Sequence, residues 1–249
     1  MKRFARIYST KPNPELVSIV RKDRLWRTRG VGDMRIAVVG GGISGLATSY
    51  ALERRVGTDG ALTIDLFEAD SRLRGVIDTV RFGPAVIEMG PDSLVDKPEG
   101  VVQLARQLGL GGDLAPINPG PPLWLKADGW HPFPHRETRS YTLTSGLDQL
   151  PESLARSLRS THINLGAEVQ SISPRGRQWM VIAHHGIVGL YDAVVLALPT
   201  VRAVSLLAER DWDTAFRQVA YPARAVVGAV YPGQALHDTT LMACTGSVA

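Results

Sequence analysis

The chain has 249 residues, 44% of them hydrophobic and 21% charged, a composition typical of a folded globular protein with a sizeable core. Its single cysteine, Cys244, excludes an internal disulfide and a cysteine-based zinc cluster, and it favours a reducing, cytoplasmic compartment. Pro199 and Arg202 interrupt the longest apolar run, so no stretch approaches the roughly 20 apolar residues that span a bilayer.

Basic residues are concentrated at the start of the chain. Residues 1–33 hold nine of the 28 Lys and Arg but only three of the 24 Asp and Glu, which leaves 19 basic and 21 acidic residues in the remainder. Because the remainder is slightly acidic, nucleic-acid binding by the folded part is not expected. We predict that residues 1–33 form a disordered basic extension. A start codon misplaced upstream of Met34, and a targeting or peripheral membrane contact, are the alternatives.

A strand, turn, helix and strand follow one another from Arg35 onward. The β-branched run 36–39 leads into the glycine-rich stretch 40–45, and apolar residues then recur at helical spacing until near Gly57. A second β-rich run over residues 62–67 ends at Glu68. This order predicts the β-α-β unit of a Rossmann-type α/β fold.

The glycines of this unit suit a bound dinucleotide. Gly40 permits the tight turn, Gly42 lets the backbone approach a pyrophosphate, and Gly45 lets the helix pack close to the strand. Ile43-Ser44 stands at the helix start, where free N–H groups and the helix dipole favour phosphate. Glu68 ends the second strand, where a carboxylate accepts hydrogen bonds from ribose hydroxyls. We therefore predict a site for the ADP half of a dinucleotide.

The segments after the second strand resemble a known family. Residues 67–79 (FEADSRLRGVIDT) are similar to the E-A-x-x-R-x-G-G stretch of the flavin amine oxidase superfamily. Residues 86–94 (VIEMGPDSL) resemble the E-x-G-P-D-S segment of bacterial protoporphyrinogen and coproporphyrinogen oxidases. Further similarities follow in family order at residues 101–110, 123–132, 146–154 and 191–199.

The resemblance implies FAD as the cofactor and a porphyrinogen of haem biosynthesis as the substrate, with hydride passing from the reduced tetrapyrrole to the flavin. It implies no catalytic acid or base. It also implies cofactor contacts beyond the glycine turn: Glu68 and Ala69 at the ADP moiety, Arg72 at the phosphates, Gly75 beside them, Gly90 and Pro91 near the isoalloxazine, and the Val169 backbone at the adenine.

The sequence also departs from the family pattern. Arg74 replaces the first glycine of the family's pair, so a bulky cation stands where the backbone comes close to the cofactor, with a clash or an added phosphate contact as the outcomes. The family inserts most of a helical substrate domain between Pro134 and Ser145, and it continues past the strand expected at residues 223–231 into a glycine-rich segment that closes the flavin site. The resemblance is therefore to a shortened family member.

The fold expected from these patterns is α/β. A Rossmann-type FAD-binding domain would occupy residues 34–95 and 145–210, with a β-meander inserted over residues 162–190. Residues 96–144 and 211–249 would form the remnant of the substrate domain. His184-His185 is not expected to bind a metal, because neighbouring residues of a strand point to opposite faces and no further ligands stand nearby.

Three functions remain open from the sequence. The first is an FAD-dependent oxidoreductase of the porphyrinogen oxidase type. The second is another flavin amine oxidase or desaturase with a different small-molecule substrate, since fold alone does not fix the reaction. The third is a non-catalytic paralogue or fragment that binds nucleotide or serves as a subunit, with a partner chain or a second copy completing the site.

Overall fold

The structure is a computed structural model that describes residues 34–56, 62–117, 123–126, 128–132, 139–186 and 188–207, together with residues 219, 221, 226 and 242–244. The extension expected over residues 1–33 and most of the strand expected over 223–231 lie outside the described residues. The described chain divides into two compact units, the first from residues 34–75 and 154–221 and the second from residues 76–153 and 226–244.

The elements of both units are numbered in chain order. The strands are β1 (Met34–Val39), β2 (Leu62–Phe67), β3 (Thr79–Phe82), β4 (Ala85–Glu88), β5 (Leu94–Val95), β6 (Leu114–Ile117), β7 (Leu123–Lys126), β8 (Gly129–Pro132), β9 (Ser140–Leu143), β10 (Thr161–Asn164), β11 (Val169–Arg175), β12 (Gln178–Ala183), β13 (Val188–Tyr191), β14 (Ala193–Leu196) and β15 (Met242–Cys244). The helices are α1 (Ile43–Val56), α2 (Val101–Gln107), α3 (Gln149–Ser157) and α4 (Thr200–Leu206). None of the helices within the described residues has the length and apolar character needed to traverse a bilayer.

A four-stranded parallel sheet forms the centre of the first unit, in the order β10-β2-β1-β14. Helix α1 connects β1 to β2, which confirms the expected β-α-β unit. Ala37, Val38, Ile64 and Leu66 are fully buried. Such continuous burial is characteristic of parallel strands, because both faces of the sheet are covered. The carboxyl ends of β1 and β2 lie side by side, which sets the position of the glycine turn.

An antiparallel meander, β11-β12-β13, packs into the same core as the parallel sheet. Val39 and Phe67 from the sheet share a buried cluster with Ile172 and Val181 of the meander and with Tyr191 at its end. The meander expected from the sequence is therefore present. The position expected for His184 on a strand is wrong: residues His184–Gly186 form a 3₁₀ turn that separates β12 from β13.

Asp65 of β2 is a buried carboxylate that ties the sheet to the meander. Its oxygens accept hydrogen bonds from the Tyr191 hydroxyl at 2.8 Å and from the Arg35 guanidinium at 2.9 Å, and His162 Nδ1 lies 3.2 Å away. The Arg35 guanidinium also stacks 4.9 Å above the Tyr191 ring. Burial raises the pKa of Tyr191 well above its ordinary value, and the hydrogen bond and charge of Asp65 raise it further. Tyr191 is therefore a permanent donor to the buried carboxylate.

Glu53 of α1 fixes the point where the chain re-enters the sheet. Its carboxylate accepts hydrogen bonds from the backbone N–H groups of Arg159, Ser160 and Thr161 at 2.7–3.0 Å, and from the Thr161 hydroxyl at 2.7 Å. Burial alone raises the pKa of Glu53, but these hydrogen bonds outweigh it, so the pKa lies below its ordinary value of 4.5. The first strand residue of β10 is thereby anchored to helix α1.

The second unit contains three small sheets and helix α2. Strands β3 and β4 form an antiparallel hairpin, β9 lies between β5 and β6, and β7 pairs with β8 and β15. Val102 and Ala105 of α2 and Leu143 of β9 are buried. The strands are two to four residues long, so this unit depends on turns and side-chain hydrogen bonds for much of its order.

Replacing Tyr191 with Phe should lower the free energy of unfolding by about 1–3 kcal/mol, because the buried Asp65 carboxylate loses a donor that solvent does not replace. Urea denaturation followed by circular dichroism measures the change. The matched control is Tyr50→Phe, which removes a hydroxyl bonded to Arg54 one helical turn away on α1 and should cost about 0.5 kcal/mol or less. Equal effects of the two substitutions would contradict the role of Asp65.

Replacing Glu53 with Gln should destabilise the protein at neutral pH and matter progressively less in acid. A depressed carboxyl pKa contributes stability above the pKa of the unfolded chain, and that contribution is lost as the pH falls through the folded-state pKa, below 4.5. The free energy of unfolding of both proteins, measured from neutral pH to well below 4.5, should therefore converge in acid. Parallel curves would show that Glu53 does not titrate in this way.

Candidate functional site

The glycine-rich turn lies at the carboxyl end of β1, between β2 and β14. The Gly40 N–H donates to the Phe67 carbonyl at 2.8 Å, and the Ala197 N–H donates to the Val39 carbonyl at 2.8 Å. Gly40 has a φ of +109°, and a Cβ atom there would come within 2.5 Å of the Ala197 carbonyl oxygen. The turn can therefore pass between its two neighbouring strands only with glycine at this position.

Helix α1 begins directly against this turn. A Cβ atom at Gly45 would overlap the carbonyl oxygen of Gly40, so glycine is required for the close packing. The helical hydrogen bonding starts with the Leu46 N–H, which donates to the Gly42 carbonyl at 3.0 Å. The N–H groups of the first helical turn, which includes Ile43 and Ser44, have no partners within the helix. They are available to an anion at the turn.

Gly42 differs from the other glycines of the turn because the position that a Cβ atom would occupy there is open. A Cβ atom at Gly42 would meet only the Gly75 Cα within 4 Å, at 3.7 Å, which is an ordinary contact. The protein itself therefore does not require glycine here. An unfilled approach to the backbone, next to free helical N–H groups, is the arrangement that a dinucleotide pyrophosphate needs. The residues present thus fit such a group.

The Glu68 carboxylate is held at the same turn. One of its oxygens accepts a hydrogen bond from the Gly41 N–H at 2.6 Å, and the other accepts one from the Asp70 N–H at 2.9 Å. A carboxylate oxygen has room for further donors beyond these two bonds. Ala69, the next residue, is exposed. The end of β2 therefore presents a fixed acceptor close to the glycine backbone.

The segment from Arg72 to Gly75 folds back onto the turn. The Arg74 N–H donates to the Gly41 carbonyl at 3.3 Å, and Arg74 forms an isolated parallel β-bridge with Gly42. Gly75 has a φ of +60°, and a Cβ atom there would approach the Gly42 Cα to 3.2 Å. Arg72 is exposed in the same segment. The structure thus brings the E-A-x-x-R stretch and the glycine turn together.

Val169 is a core residue at the start of β11. Its side chain is 6% exposed and packs in the cluster shared by sheet and meander. The residues just before it are bonded to the end of β2, since the Gly166 N–H donates to the Asp70 carbonyl at 3.0 Å and the Ala167 N–H to the Glu68 carbonyl at 2.9 Å. The backbone of this segment therefore lies beside the strand end that carries Glu68.

Gly90 and Pro91 lie in the second unit, whereas all the other predicted contacts lie in the first. A Cβ atom at Gly90 would overlap the Val76 carbonyl oxygen, and the Met89 N–H donates to the Asp78 carbonyl at 2.7 Å. Pro91 is exposed. Gly90 is therefore required by local packing within its own unit.

Sequence analysis missed the side chains that join two of the family-like segments. Glu88 accepts hydrogen bonds from the Leu147 N–H and the Thr79 hydroxyl, both at 2.7 Å, which links residues 86–94 to residues 146–154. Arg81 donates two hydrogen bonds to the buried Asp148 carboxylate at 2.8 and 2.9 Å. Arg81 and Asp148 are 67 residues apart, so no local pattern in a single sequence reveals the pair.

Two family models match the chain. Residues 38–108 match the NAD(P)-binding Rossmann-like domain, and residues 120–241 match the flavin-containing amine oxidoreductases. The first match covers the glycine turn and Glu68. The second family implies a flavin as the cofactor. Both agree with the α/β fold expected from the sequence.

Curated relatives come from bacteria and from yeast. The coproporphyrinogen III oxidase of Bacillus subtilis is 34% identical over 104 residues, which covers 41% of this chain and 22% of the relative. The protoporphyrinogen oxidase of Schizosaccharomyces pombe is 30% identical over 139 residues, which covers 51% of this chain and 25% of the relative. The matched part thus spans about a quarter or less of each relative.

Solved structures share the fold. A protein of Exiguobacterium sp. 255-15, provisionally assigned as a protoporphyrinogen oxidase, aligns with a TM-score of 0.66 at 22% identity and covers 76% of this chain and 64% of its own. A putrescine oxidase variant aligns with a TM-score of 0.53 at 15% identity, covering 70% of this chain and 60% of its own. Over residues 120–241 the chain is similar to the flavin-containing amine oxidoreductases, and the curated proteins that parts of it resemble include coproporphyrinogen and protoporphyrinogen oxidases.

Proposed function

We propose that this chain is an FAD-dependent oxidoreductase of the porphyrinogen oxidase type, with the ADP half of FAD bound at the glycine turn. The observation that carries the proposal is the open backbone at Gly42, next to the Glu68 carboxylate that is fixed 2.6 Å from the Gly41 N–H. An open glycine backbone and an acidic strand end are the two features by which a Rossmann-type unit holds a pyrophosphate and a ribose.

Each part of the turn has a separate task in this proposal. The N–H groups of Gly42, Ile43 and Ser44 and the dipole of α1 would stabilise the pyrophosphate. Glu68 would accept hydrogen bonds from the adenosine ribose hydroxyls, and an acid at this position disfavours a ribose 2′-phosphate. The exposed Arg72 would add a cation for the phosphates, and its planar fork matches two phosphate oxygens.

FAD is favoured over a nicotinamide dinucleotide by the residues that follow Glu68. The E-A-x-x-R stretch is bonded to the glycine turn through Arg74 and Gly41, so it contributes to the same site. When bound, FAD supplies the capacity to accept a hydride from a reduced substrate. Ala69, Gly75, Gly90, Pro91 and Val169 remain proposed contacts of the same cofactor.

A porphyrinogen is the proposed substrate, because the curated relatives are coproporphyrinogen and protoporphyrinogen oxidases. A second copy or a partner chain is proposed as a further partner of this chain. We also propose a cytoplasmic location, with peripheral membrane contact as the alternative, and the single cysteine and the basic residues 1–33 support this proposal.

Substituting Gly42 with Ala should weaken FAD binding by about tenfold or more while leaving the fold intact. The added methyl group meets only the Gly75 Cα, at 3.7 Å, but it stands where the pyrophosphate approaches the backbone. Titration of the purified full chain with FAD, followed by flavin fluorescence and visible absorbance, gives the two dissociation constants. Thermal unfolding without FAD checks that both proteins are equally stable.

The matched control is Gly112→Ala, because a Cβ atom at Gly112 has nothing within 4 Å and lies in the second unit. Its FAD affinity should equal that of the wild type. A wild-type chain that stays colourless with excess FAD, or a Gly42→Ala variant that binds FAD as tightly as the wild type, would contradict the proposed site.

The FAD-loaded chain should convert coproporphyrinogen or protoporphyrinogen into the fluorescent porphyrin, with oxygen or another acceptor reoxidising the flavin. Porphyrin fluorescence over time measures the reaction, and the Gly42→Ala variant serves as the cofactor-deficient control. Turnover of an amine without porphyrin formation would instead assign another flavin amine oxidase activity. Tight FAD binding without turnover of either substrate would favour a non-catalytic subunit.

A further inference from the structure

Arg74 has a backbone conformation that side chains rarely adopt. Its φ is +134°, and the other non-glycine residue with a positive φ in the described chain is Glu99, at +54°. At +134° the Cβ atom crowds the neighbouring carbonyl, so this region is populated almost entirely by glycine. The family pattern has glycine at this position, whereas this chain carries the long, cationic side chain of arginine.

The contacts around Arg74 prevent its backbone from relaxing into a more common conformation. Its N–H donates to the Gly41 carbonyl at 3.3 Å, and its backbone is bridged to Gly42. On its other side, Gly75 lies so close to Gly42 that a Cβ atom would approach the Gly42 Cα to 3.2 Å. Arg74 could relax only if this segment moved away from the glycine turn. The strained conformation is therefore imposed by the architecture of the proposed site.

The same contacts fix the origin of the Arg74 side chain beside Gly42, where the backbone is open. An arginine side chain is long enough to reach a group that lies against the neighbouring residue. Its guanidinium is always charged and donates paired hydrogen bonds that match two phosphate oxygens. A pyrophosphate at Gly42 would lie within that reach.

We propose that Arg74 is a second cationic contact for the dinucleotide pyrophosphate, and that the affinity it adds offsets the backbone strain that it carries. This inference rests on the proposed function, because it takes the dinucleotide at the glycine turn as given. It differs from the role of Arg72, which the family pattern implies, since the family pattern has glycine at the position of Arg74. Substitutions of Arg74 should therefore change the stability of the ligand-free protein and its affinity for the cofactor independently of one another.

Three variants test the proposal. Arg74→Gly removes both strain and charge, Arg74→Gln removes the charge but retains the strain, and Arg177→Gln removes an exposed arginine of the β11–β12 turn as a control. Without ligand, Arg74→Gly should melt about 2–10 °C higher than Arg74→Gln, because both variants lack the guanidinium and only Arg74→Gln retains the strain. Both Arg74 variants should weaken FAD and ADP binding by about tenfold to a hundredfold, and the control should not.

Salt dependence provides a readout that a purely structural role would not move. The FAD affinity of the wild type should fall more steeply with sodium chloride concentration than that of either Arg74 variant, because an ion pair with phosphate is screened. An Arg74→Gly variant that binds FAD and ADP as tightly as the wild type would overturn this inference and leave the proposed function standing. A wild type that binds neither ligand would overturn both.

Discussion

The contact between Gly45 and the carbonyl oxygen of Gly40 is the constraint on which the proposed site depends. Because no side chain fits there, helix α1 begins against the end of β1, and the N–H groups of its first turn face the same small region as the Gly42 backbone. The Gly41 N–H donates to the Glu68 carboxylate, and the Gly41 carbonyl accepts a hydrogen bond from the Arg74 N–H. A side chain at Gly45 would separate these parts before any ligand arrived.

Each unit also relies on one buried carboxylate that pairs with an arginine. In the first unit, Asp65 accepts hydrogen bonds from Arg35 and Tyr191. In the second unit, Asp148 accepts hydrogen bonds from Arg81. Burying a carboxylate carries a free-energy cost, which good geometry and additional hydrogen bonds offset, while the two arginines stay nearly half exposed. The hydroxyl of Tyr191 supplies such a bond to Asp65. The N–H of Asp148 itself donates to the Thr79 hydroxyl at 3.2 Å, which places its turn beside the hairpin.

The elements that the sequence predicted correctly are those determined by residues that lie close together in the chain. The glycine turn, the β-α-β unit and the second strand over residues 62–67 were predictable because β-branched runs, glycines and helical spacing act over a few residues. The strand expected at His184 failed because Gly186, with a φ of +75°, closes a 3₁₀ turn there. Tyr191 lies 126 residues from Asp65 in the chain and Thr161 lies 108 residues from Glu53, and sequence periodicity does not predict contacts between residues so far apart. Cofactor contacts at Glu68 and Arg72 remain predictions that the geometry supports.

The pairing of β1 with β14 joins Ile36 to Ala193 across 157 residues of chain. A sheet closed by so distant a strand has a high contact order, and such topologies fold slowly because the loop entropy is lost before the contact is made. During synthesis the β14 edge of β1 stays uncovered until the ribosome has released the later segment, at roughly 5–20 residues per second. Between the synthesis of Ile36 and that of Ala193, which takes about 8–30 s at this rate, the nascent chain therefore exposes an apolar strand edge.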